Sequence, residues 1–189
     1  MNLDQYINES ITNLDLLRDN SLYESFHRAV NIFAETIHQG GNILVCGNGG
    51  SYSDALHFAA ELVNYFTIEH RALPVIALGT NGSVATAWSN DHEFEDQFAR
   101  EIEAYGNSRS ILFGITTSGK SKNVNNAFNR AHNMGMRTIA LTAKKAIPFL
   151  PSHLDNIIAV PVLETHKIQE CHLVIYHALC IEIEQQISR

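Results

Sequence analysis

Short apolar runs alternate with amphipathic segments along most of the chain, and this alternation predicts the secondary structure. Five runs made mainly of apolar residues are typical of strands buried on both faces of a parallel sheet. They span residues 42–46, 73–79, 110–115, 136–142 and 156–161. Apolar residues at helical spacing predict helices over residues 3–18, 22–38, 51–66, 93–105, 121–134 and 166–187. We therefore expect an α/β fold, a three-layer sandwich with a five-stranded parallel sheet between helices.

The chain length of 189 residues predicts a single domain over 1–189. Gly40-Gly41 ends the second helix, so an N-terminal helical segment, 1–40, precedes an α/β core, 41–189. No apolar run reaches the roughly 18–20 residues that cross a bilayer. The first residues, MNLDQYINES, are polar and acidic, unlike a signal peptide. These features predict a cytoplasmic protein without a membrane partner.

The charge of the chain narrows the choice of ligand. A formal net charge of -7 argues against nonspecific nucleic-acid binding, which depends on neutralisation of phosphates by Lys and Arg. A phosphorylated small molecule remains compatible with this charge, because backbone N–H groups and hydroxyls also hold phosphate.

The loop after the first strand reads GNGGS, residues 47–51. Its glycines allow positive φ angles and a close approach of the backbone to a ligand. Ser51 is expected to cap the next helix, whose N-terminus attracts anions. A tight structural turn and a phosphate site both fit this loop.

The loop after the third strand reads TTSGKS, residues 116–121. Four hydroxyl side chains surround one glycine at a strand-to-helix turn. An ordinary N-cap needs only one hydroxyl, whereas hydroxyls together with free helix N–H groups form a phosphate cup. The composition favours the phosphate cup.

Two helices carry polar pairs within otherwise apolar surroundings. His57 and Glu61, at positions i and i+4, share one helix face and fit either a surface hydrogen bond or an active site. In the last helix, Gln169 and His177 lie eight residues apart, about 80° around the helix axis, and can converge on one site. Imidazole and carboxylate groups suit a divalent metal such as zinc, and they suit general acid–base chemistry equally.

Several segments in order across the chain resemble the bacterial phosphoheptose isomerases of the sugar-isomerase (SIS) domain family. They read CGNGGS, DALHFAAEL, SND (89–91), GITTSGKSKNV and KIQECHLVIYH. The resemblance implies a flavodoxin-like sheet and a homotetramer, with the extra N-terminal helices contributing to oligomerisation.

The resemblance also implies roles for individual residues. It implies substrate contacts at Asn48, Gly49, Gly50, Ser51, Asn90, Asp91, Thr116, Thr117, Ser118, Ser121 and Gln169. It implies one zinc ion per subunit at His57, Glu61, Gln169 and His177. Glu61 matches the base of the family and His177 its acid.

The resulting hypothesis is the isomerisation of sedoheptulose 7-phosphate to D-glycero-D-manno-heptose 7-phosphate through an enediol. Its product would be an early precursor of the heptose in lipopolysaccharide and related surface polysaccharides. Two other functions stay open: a non-catalytic tetramer of the same fold that binds a replication initiator, and a regulatory module that binds a sugar phosphate. Neither requires His57, Glu61 and His177 together.

Overall fold

The computed structural model describes residues 2–188, so Met1 and Arg189 of the predicted 1–189 domain lie outside the described residues. The strands are β1 (Ile43–Cys46), β2 (Val75–Ala77), β3 (Ile111–Ile115), β4 (Arg137–Ala143) and β5 (Asn156–Val160). The helices are α1 (Leu3–Asp15), α2 (Asn20–His38), α3 (Gly50–Val63), α4 (Gly82–Asp91), α5 (Gln97–Tyr105), α6 (Lys122–Asn133) and α7 (Thr165–Ile187). Two 3-10 segments span Phe94–Asp96 and Lys144–Phe149.

All five strands are parallel and form one sheet in the order β2-β1-β3-β4-β5, which confirms the predicted flavodoxin-like sheet. In the centre, Cys46 of β1 lies opposite Gly114 of β3. The loops that follow these two strands therefore leave the same edge of the sheet side by side. Ligands of open parallel sheets bind at this carboxyl edge.

Successive residues of β1 point to opposite faces of the sheet and enter two separate cores. Ile43 and Val45 join a core formed with residues of α2, α3 and α7. Leu44 and Cys46 join a second core formed with residues of α5 and α6. Because both faces are covered, most residues of the strands are buried, and the predicted three-layer sandwich is confirmed.

The N-terminal helix α1 lies against α7 through polar contacts. Tyr6 and Ser10 donate hydrogen bonds to Glu170, and Lys167 pairs with Glu9. None of the residues of α1 is buried. Its apolar side chains Leu3, Ile7 and Ile11 remain exposed in the protomer. Among residues 2–188, no helix is both long and apolar enough to span a bilayer.

Two elements differ from the sequence prediction. Helix α4 was not predicted, because GSVATAWSND has no sustained amphipathic pattern and none of its residues is buried. Asn81 starts it by accepting hydrogen bonds from the backbone N–H groups of Ser83 and Val84. The 3-10 segment Lys144–Phe149 occupies a stretch after β4 that also lacked a helical pattern.

Candidate active site

The glycine turn between β1 and α3 brings the backbone close to α7. Gly49 has a φ of +56° and occupies the N-cap position of α3. A Cβ atom on Gly50 would lie 2.2 Å from Nε2 of Gln169, so only glycine leaves room for that amide. Ser51, which was predicted to be the cap, instead lies buried in the first turn of α3, and that prediction is wrong. The backbone N–H groups of this turn have no side-chain cap within residues 2–188.

The hydroxyl loop between β3 and α6 is ordered by its own side chains. Thr116 is buried, and its Oγ1 accepts a hydrogen bond from the backbone N–H of Gly119 at 3.2 Å. Gly119 has a φ of +68°, and a Cβ atom there would lie 2.5 Å from the carbonyl oxygen of Ala146. Ser121 occupies the N-cap position of α6 without making a capping bond to the described residues. Thr117 is partly exposed and Ser118 is exposed.

An amide pair joins these two loops. Asn48 Nδ2 donates to Asn123 Oδ1 at 2.8 Å, and Asn123 Nδ2 donates back to Asn48 Oδ1 at 2.9 Å. Asn123, in the first turn of α6, is only 2% exposed. Asn123 carries no distinct signal in the sequence, because an asparagine just after a helix start is common. The pair holds the glycine turn and the hydroxyl loop at a fixed separation.

Further along α3, three side chains from two helices form a compact group. One possible ligand atom from each of His57, Glu61 and His177 lies within 4.8 Å of the other two. His57 Nε2 is 2.8 Å from Glu61 Oε1, across one turn of α3. The rings of His57 and His177 are perpendicular, with centroids 5.0 Å apart. The structure thus brings together three of the four residues that the sequence singled out on α3 and α7.

His177 lies in an apolar setting. Its ring packs on Phe66 with centroids 5.0 Å apart, and its Nε2 is buried without a hydrogen-bond partner among residues 2–188. Burial lowers the pKa of His177, repulsion by His57 lowers it further, and the charge of Glu61 opposes both effects. A neutral imidazole with an unpaired buried nitrogen can bind a metal ion or take part in proton transfer.

Tyr176, next to His177, holds the other side of His57. Tyr176 Oη is 2.9 Å from His57 Nδ1, and the tyrosine is 1% exposed. Burial and the nearby carboxylates Asp54 and Glu61 raise its pKa, so the phenol is neutral. Tyr176 could not be recognised from the sequence, because it lies within an apolar helix face, where tyrosine is usually a packing residue.

Asp54 is a further acidic group on α3, one turn before Phe58 and next to the polar pair of His57 and Glu61 in sequence. Its Oδ2 is buried and has no hydrogen-bond partner among the described residues. Burial raises the pKa of this carboxyl to about 6, against a smaller opposing effect of His57. Asp54 is thus not simply solvated.

Gln169 lies beside the glycine turn, and Asn90 and Asp91 lie at the end of α4. Gln169 contacts Gly50, and its Cα lies about 12 Å from that of His177 along the axis of α7 at 1.5 Å per residue. Asn90 and Asp91 end α4, are exposed, and share a hydrogen bond of 2.8 Å.

A buried histidine on α7 supports the hydroxyl loop from behind. His172 Nε2 is 3.3 Å from the carbonyl oxygen of Thr142, and Thr142 Oγ1 donates to the carbonyl oxygen of Thr116 at 2.6 Å. His172 is fully buried, and its burial lowers its pKa to about 4. It is therefore neutral near pH 7 and has a structural role.

His172 gives a testable dependence of stability on pH. Because the pKa is about 6.5 unfolded and about 4 folded, the unfolded chain binds one more proton between these values. Stability must then fall as the pH falls from about 6.5 to about 4, by about 3 kcal/mol in total. We expect His172→Leu to lose less of its free energy of unfolding between pH 7 and pH 4 than the parent protein, measured by urea unfolding at both pH values. His27→Gln, a matched change at an exposed histidine, should lose as much as the parent protein. A parental pH dependence in His172→Leu would contradict the lowered pKa of His172.

Comparison with known proteins identifies the family of this chain. Residues 5–143 match the model of the SIS domain. The phosphoheptose isomerase of Helicobacter pylori (strain P12) is 43% identical over 168 residues, 89% of this chain and 87% of that protein. The phosphoheptose isomerase of Alkalilimnicola ehrlichii is 40% identical over 185 residues, 97% of this chain and 94% of that protein.

A solved structure supports the same grouping. Phosphoheptose isomerase GmhA from Neisseria gonorrhoeae superposes with a TM-score of 0.88 at 35% identity, covering 97% of each chain. Sequence similarity and structural similarity thus extend over nearly the whole chain, including the helices that carry the His57, Glu61 and His177 group. The chain belongs to the SIS domain family and, within it, to the phosphoheptose isomerases.

Proposed function

We propose that this enzyme interconverts sedoheptulose 7-phosphate and D-glycero-D-manno-heptose 7-phosphate through an enediol. The observation that carries the proposal is the close approach of Glu61 and His177, a carboxylate and an imidazole from different helices. Isomerisation of a ketose to an aldose moves a proton from C1 to C2, which requires a base and an acid on the same substrate. The names of the related proteins indicate a seven-carbon phosphate as that substrate.

In this proposal Glu61 removes the C1 proton of the open-chain ketose and leaves an enediol. His177 supplies a proton at C2, or moves one between the two oxygens. Glu61 keeps a partly exposed side chain, with 23% of its surface accessible, so substrate can reach it. Partial burial of His177 lowers the pKa of its imidazole, which makes the protonated ring a stronger acid toward C2.

The phosphate is assigned to the paired loops at the carboxyl edge of the sheet. The start of α3 has no side-chain cap, and Ser121 makes no capping bond to residues 2–188. Ser118 Oγ accepts a hydrogen bond from the backbone N–H of Lys120 at 3.2 Å, which leaves its O–H donor for a phosphate oxygen. The Asn48–Asn123 pair holds the two loops together before substrate binds. Gln169, beside Gly50, is assigned to the substrate at the same turn. Asn90 and Asp91 stay proposed substrate contacts.

The three-residue group also fits a zinc ion. Zinc sites in enzymes combine imidazole and carboxylate ligands, and the buried Nε2 of His177 has no hydrogen-bond partner within residues 2–188. His57, Glu61 and His177 would hold the ion, with Gln169 as a proposed further ligand. Bound there, zinc would polarise the carbonyl and hydroxyl oxygens of the sugar as a Lewis acid.

Tyr176 is expected to strengthen metal binding through His57. An imidazole that binds a metal through one nitrogen is held in orientation by a hydrogen bond at the other, and here Tyr176 Oη lies beside Nδ1. We expect Tyr176→Phe to weaken zinc binding at least about 10-fold, as the loss of such partners typically does. Competition with a chromogenic chelator measures the affinity. Tyr23→Phe, at an exposed tyrosine, is the matched control, and equal affinities in both variants would contradict this role.

We propose that the protein forms a homotetramer through its N-terminal helices. Leu3, Ile7, Ile11 and Leu14 leave an apolar surface on α1 uncovered in the protomer. Beside it, residues of α1, α2 and α7 line a largely apolar groove of about 570 Å³. Light scattering after size-exclusion chromatography would give the mass. A monomer at micromolar concentration would contradict the proposal.

One assay tests the proposed function against the alternatives. The protein is incubated with sedoheptulose 7-phosphate, and formation of the aldose is followed by NMR with and without a chelator. We expect conversion, with a lower rate after chelation. Binding of the ketose phosphate without conversion would favour a regulatory module, and binding of a replication initiator without conversion would favour the non-catalytic tetramer.

We also propose that the aldose product supplies heptose for surface polysaccharides.

A further inference from the structure

The segment that follows α3, residues 64–70, has no regular secondary structure, yet one buried carboxylate holds it. Glu184 of α7 accepts hydrogen bonds from four groups of this segment and pairs with a histidine. The donors are the backbone N–H groups of Phe66, Thr67 and Ile68, the hydroxyl of Thr67 and the Nε2 of His70. The distances are 2.8 Å for the Thr67 backbone N–H and 3.1 Å for His70.

The carboxylate of Glu184 is fully buried, so hydrogen bonds must offset the free-energy cost of removing its charge from water. Desolvation raises its pKa, but the hydrogen bonds from Phe66, Thr67 and Ile68 outweigh that effect and hold the pKa below its ordinary value. A charged acceptor in this setting makes stronger hydrogen bonds than a neutral one. The backbone of residues 66–68 is therefore fixed firmly to α7.

Phe66 links this anchor to the proposed acid. Its backbone N–H is bound by Glu184, and its ring packs on the ring of His177 with centroids 5.0 Å apart. Glu184 and His177 are seven residues apart on α7, so they lie on one face, about two turns from each other. Phe66 thus bridges the space between the carboxylate and the imidazole.

We propose that Glu184 is a positioning residue that, through Phe66, holds the imidazole of His177 in place opposite Glu61. This inference rests on the proposed function in assigning His177 to proton transfer. Glu184 itself touches neither substrate nor reacting atoms. A carboxylate is required because three neighbouring backbone N–H groups and a hydroxyl point at one place. Glutamine would place its amide NH2 group, a donor, against some of these N–H and O–H donors.

A double-mutant cycle tests the path from Glu184 to His177. The variants are Glu184→Gln, Phe66→Leu and the two combined. We expect each single variant to lower kcat about 10-fold with KM changed less than about twofold, the order of loss that follows when a supporting partner is removed. The double variant should be no slower than the slower single variant, because both changes break the same path.

The control separates positioning from stability alone. Asp155→Asn removes a carboxylate that accepts hydrogen bonds from the backbone N–H and hydroxyl of Thr138, at the opposite edge of the sheet. It should lower the unfolding midpoint and leave kcat unchanged. If Glu184→Gln also lowers the unfolding midpoint and leaves kcat unchanged, Glu184 has only a structural role and the inference is wrong. Independent, multiplicative effects of Glu184→Gln and Phe66→Leu would equally overturn it.

A second readout does not depend on turnover. Diethyl pyrocarbonate modifies accessible imidazole nitrogens, and the rate at His177 is followed by peptide mass spectrometry in the presence of a chelator. Glu184→Gln and Phe66→Leu should each modify His177 several-fold faster than the parent protein, and Asp155→Asn should not. If the parent protein fails to isomerise the heptose phosphate, the proposed function fails and this rate alone decides the inference. If His177 is modified in Phe66→Leu at the same rate as in the parent protein, the inference is overturned, even where Glu184→Gln does not fold.

Discussion

Replacing Glu61 by glutamine is expected to lower the turnover of sedoheptulose 7-phosphate by about 10²–10⁴-fold, the contribution of one general base. Glutamine keeps the size and a hydrogen bond of the side chain but cannot accept the C1 proton. Because the phosphate is assigned to the paired loops, binding of the ketose should change little. Turnover is measured by NMR and binding by calorimetry.

Exchange of the C1 proton in deuterated water gives a second test of the Glu61→Gln variant. In the parent protein, removal and return of the C1 proton should exchange it for deuterium, and Glu61→Gln should stop this exchange. Glu35→Gln, at an exposed glutamate of α2, removes one charge elsewhere and should leave both rates unchanged. Turnover within a few-fold of the parent in Glu61→Gln would exclude Glu61 as the base.

Replacing His177 by asparagine is expected to separate the two halves of the reaction. Aldose formation should fall by about 10²–10⁴-fold, since the proton donor at C2 is lost. Exchange of the C1 proton with deuterium should persist at a higher rate than aldose formation, because Glu61 remains. Both quantities come from one NMR time course.

Equal losses of exchange and of aldose formation in His177→Asn would contradict this division of roles. Loss of zinc from the variant would also slow both steps, so its metal content is measured alongside. His153→Asn is a matched control: His153 also has a buried Nε2 without a partner among residues 2–188, but it stacks on His132 rather than on the site. That variant should isomerise at the parental rate.

The sheet could be predicted from the sequence because its central strands are buried on both faces, which leaves short apolar runs in the sequence. Both faces of β1 and β3 are covered, so their residues are uniformly apolar, and every predicted strand is present with slightly different ends. Helix α4 could not be predicted, since it buries no residue and its start depends on the side chain of Asn81. Hydroxyls commonly cap helices, so the sequence predicts a cap at Ser51, whereas Gly49, with a φ of +56°, occupies that position and Gln169 packs against Gly50.

The acid–base group was only partly visible in the sequence. Helical spacing places His57 beside Glu61, but no local pattern indicates that His177, 120 residues later, meets them. That meeting depends on how α3 packs on α7. Tyr176 and Asn123 were missed for a related reason: each has a common structural role in its local setting, and only the tertiary partner, His57 or Asn48, distinguishes it.

The position of α7 in the chain has a consequence for synthesis and folding. This helix follows all five strands, and it carries His177, Tyr176 and the residues that hold α1 and the 64–70 segment. A growing chain that has completed β5 possesses the sheet and both proposed phosphate loops but lacks the proposed proton donor, His177. We expect such an intermediate to expose the apolar faces of α2 and α3 and to be inactive. Isomerase activity would therefore appear only when the last helix docks.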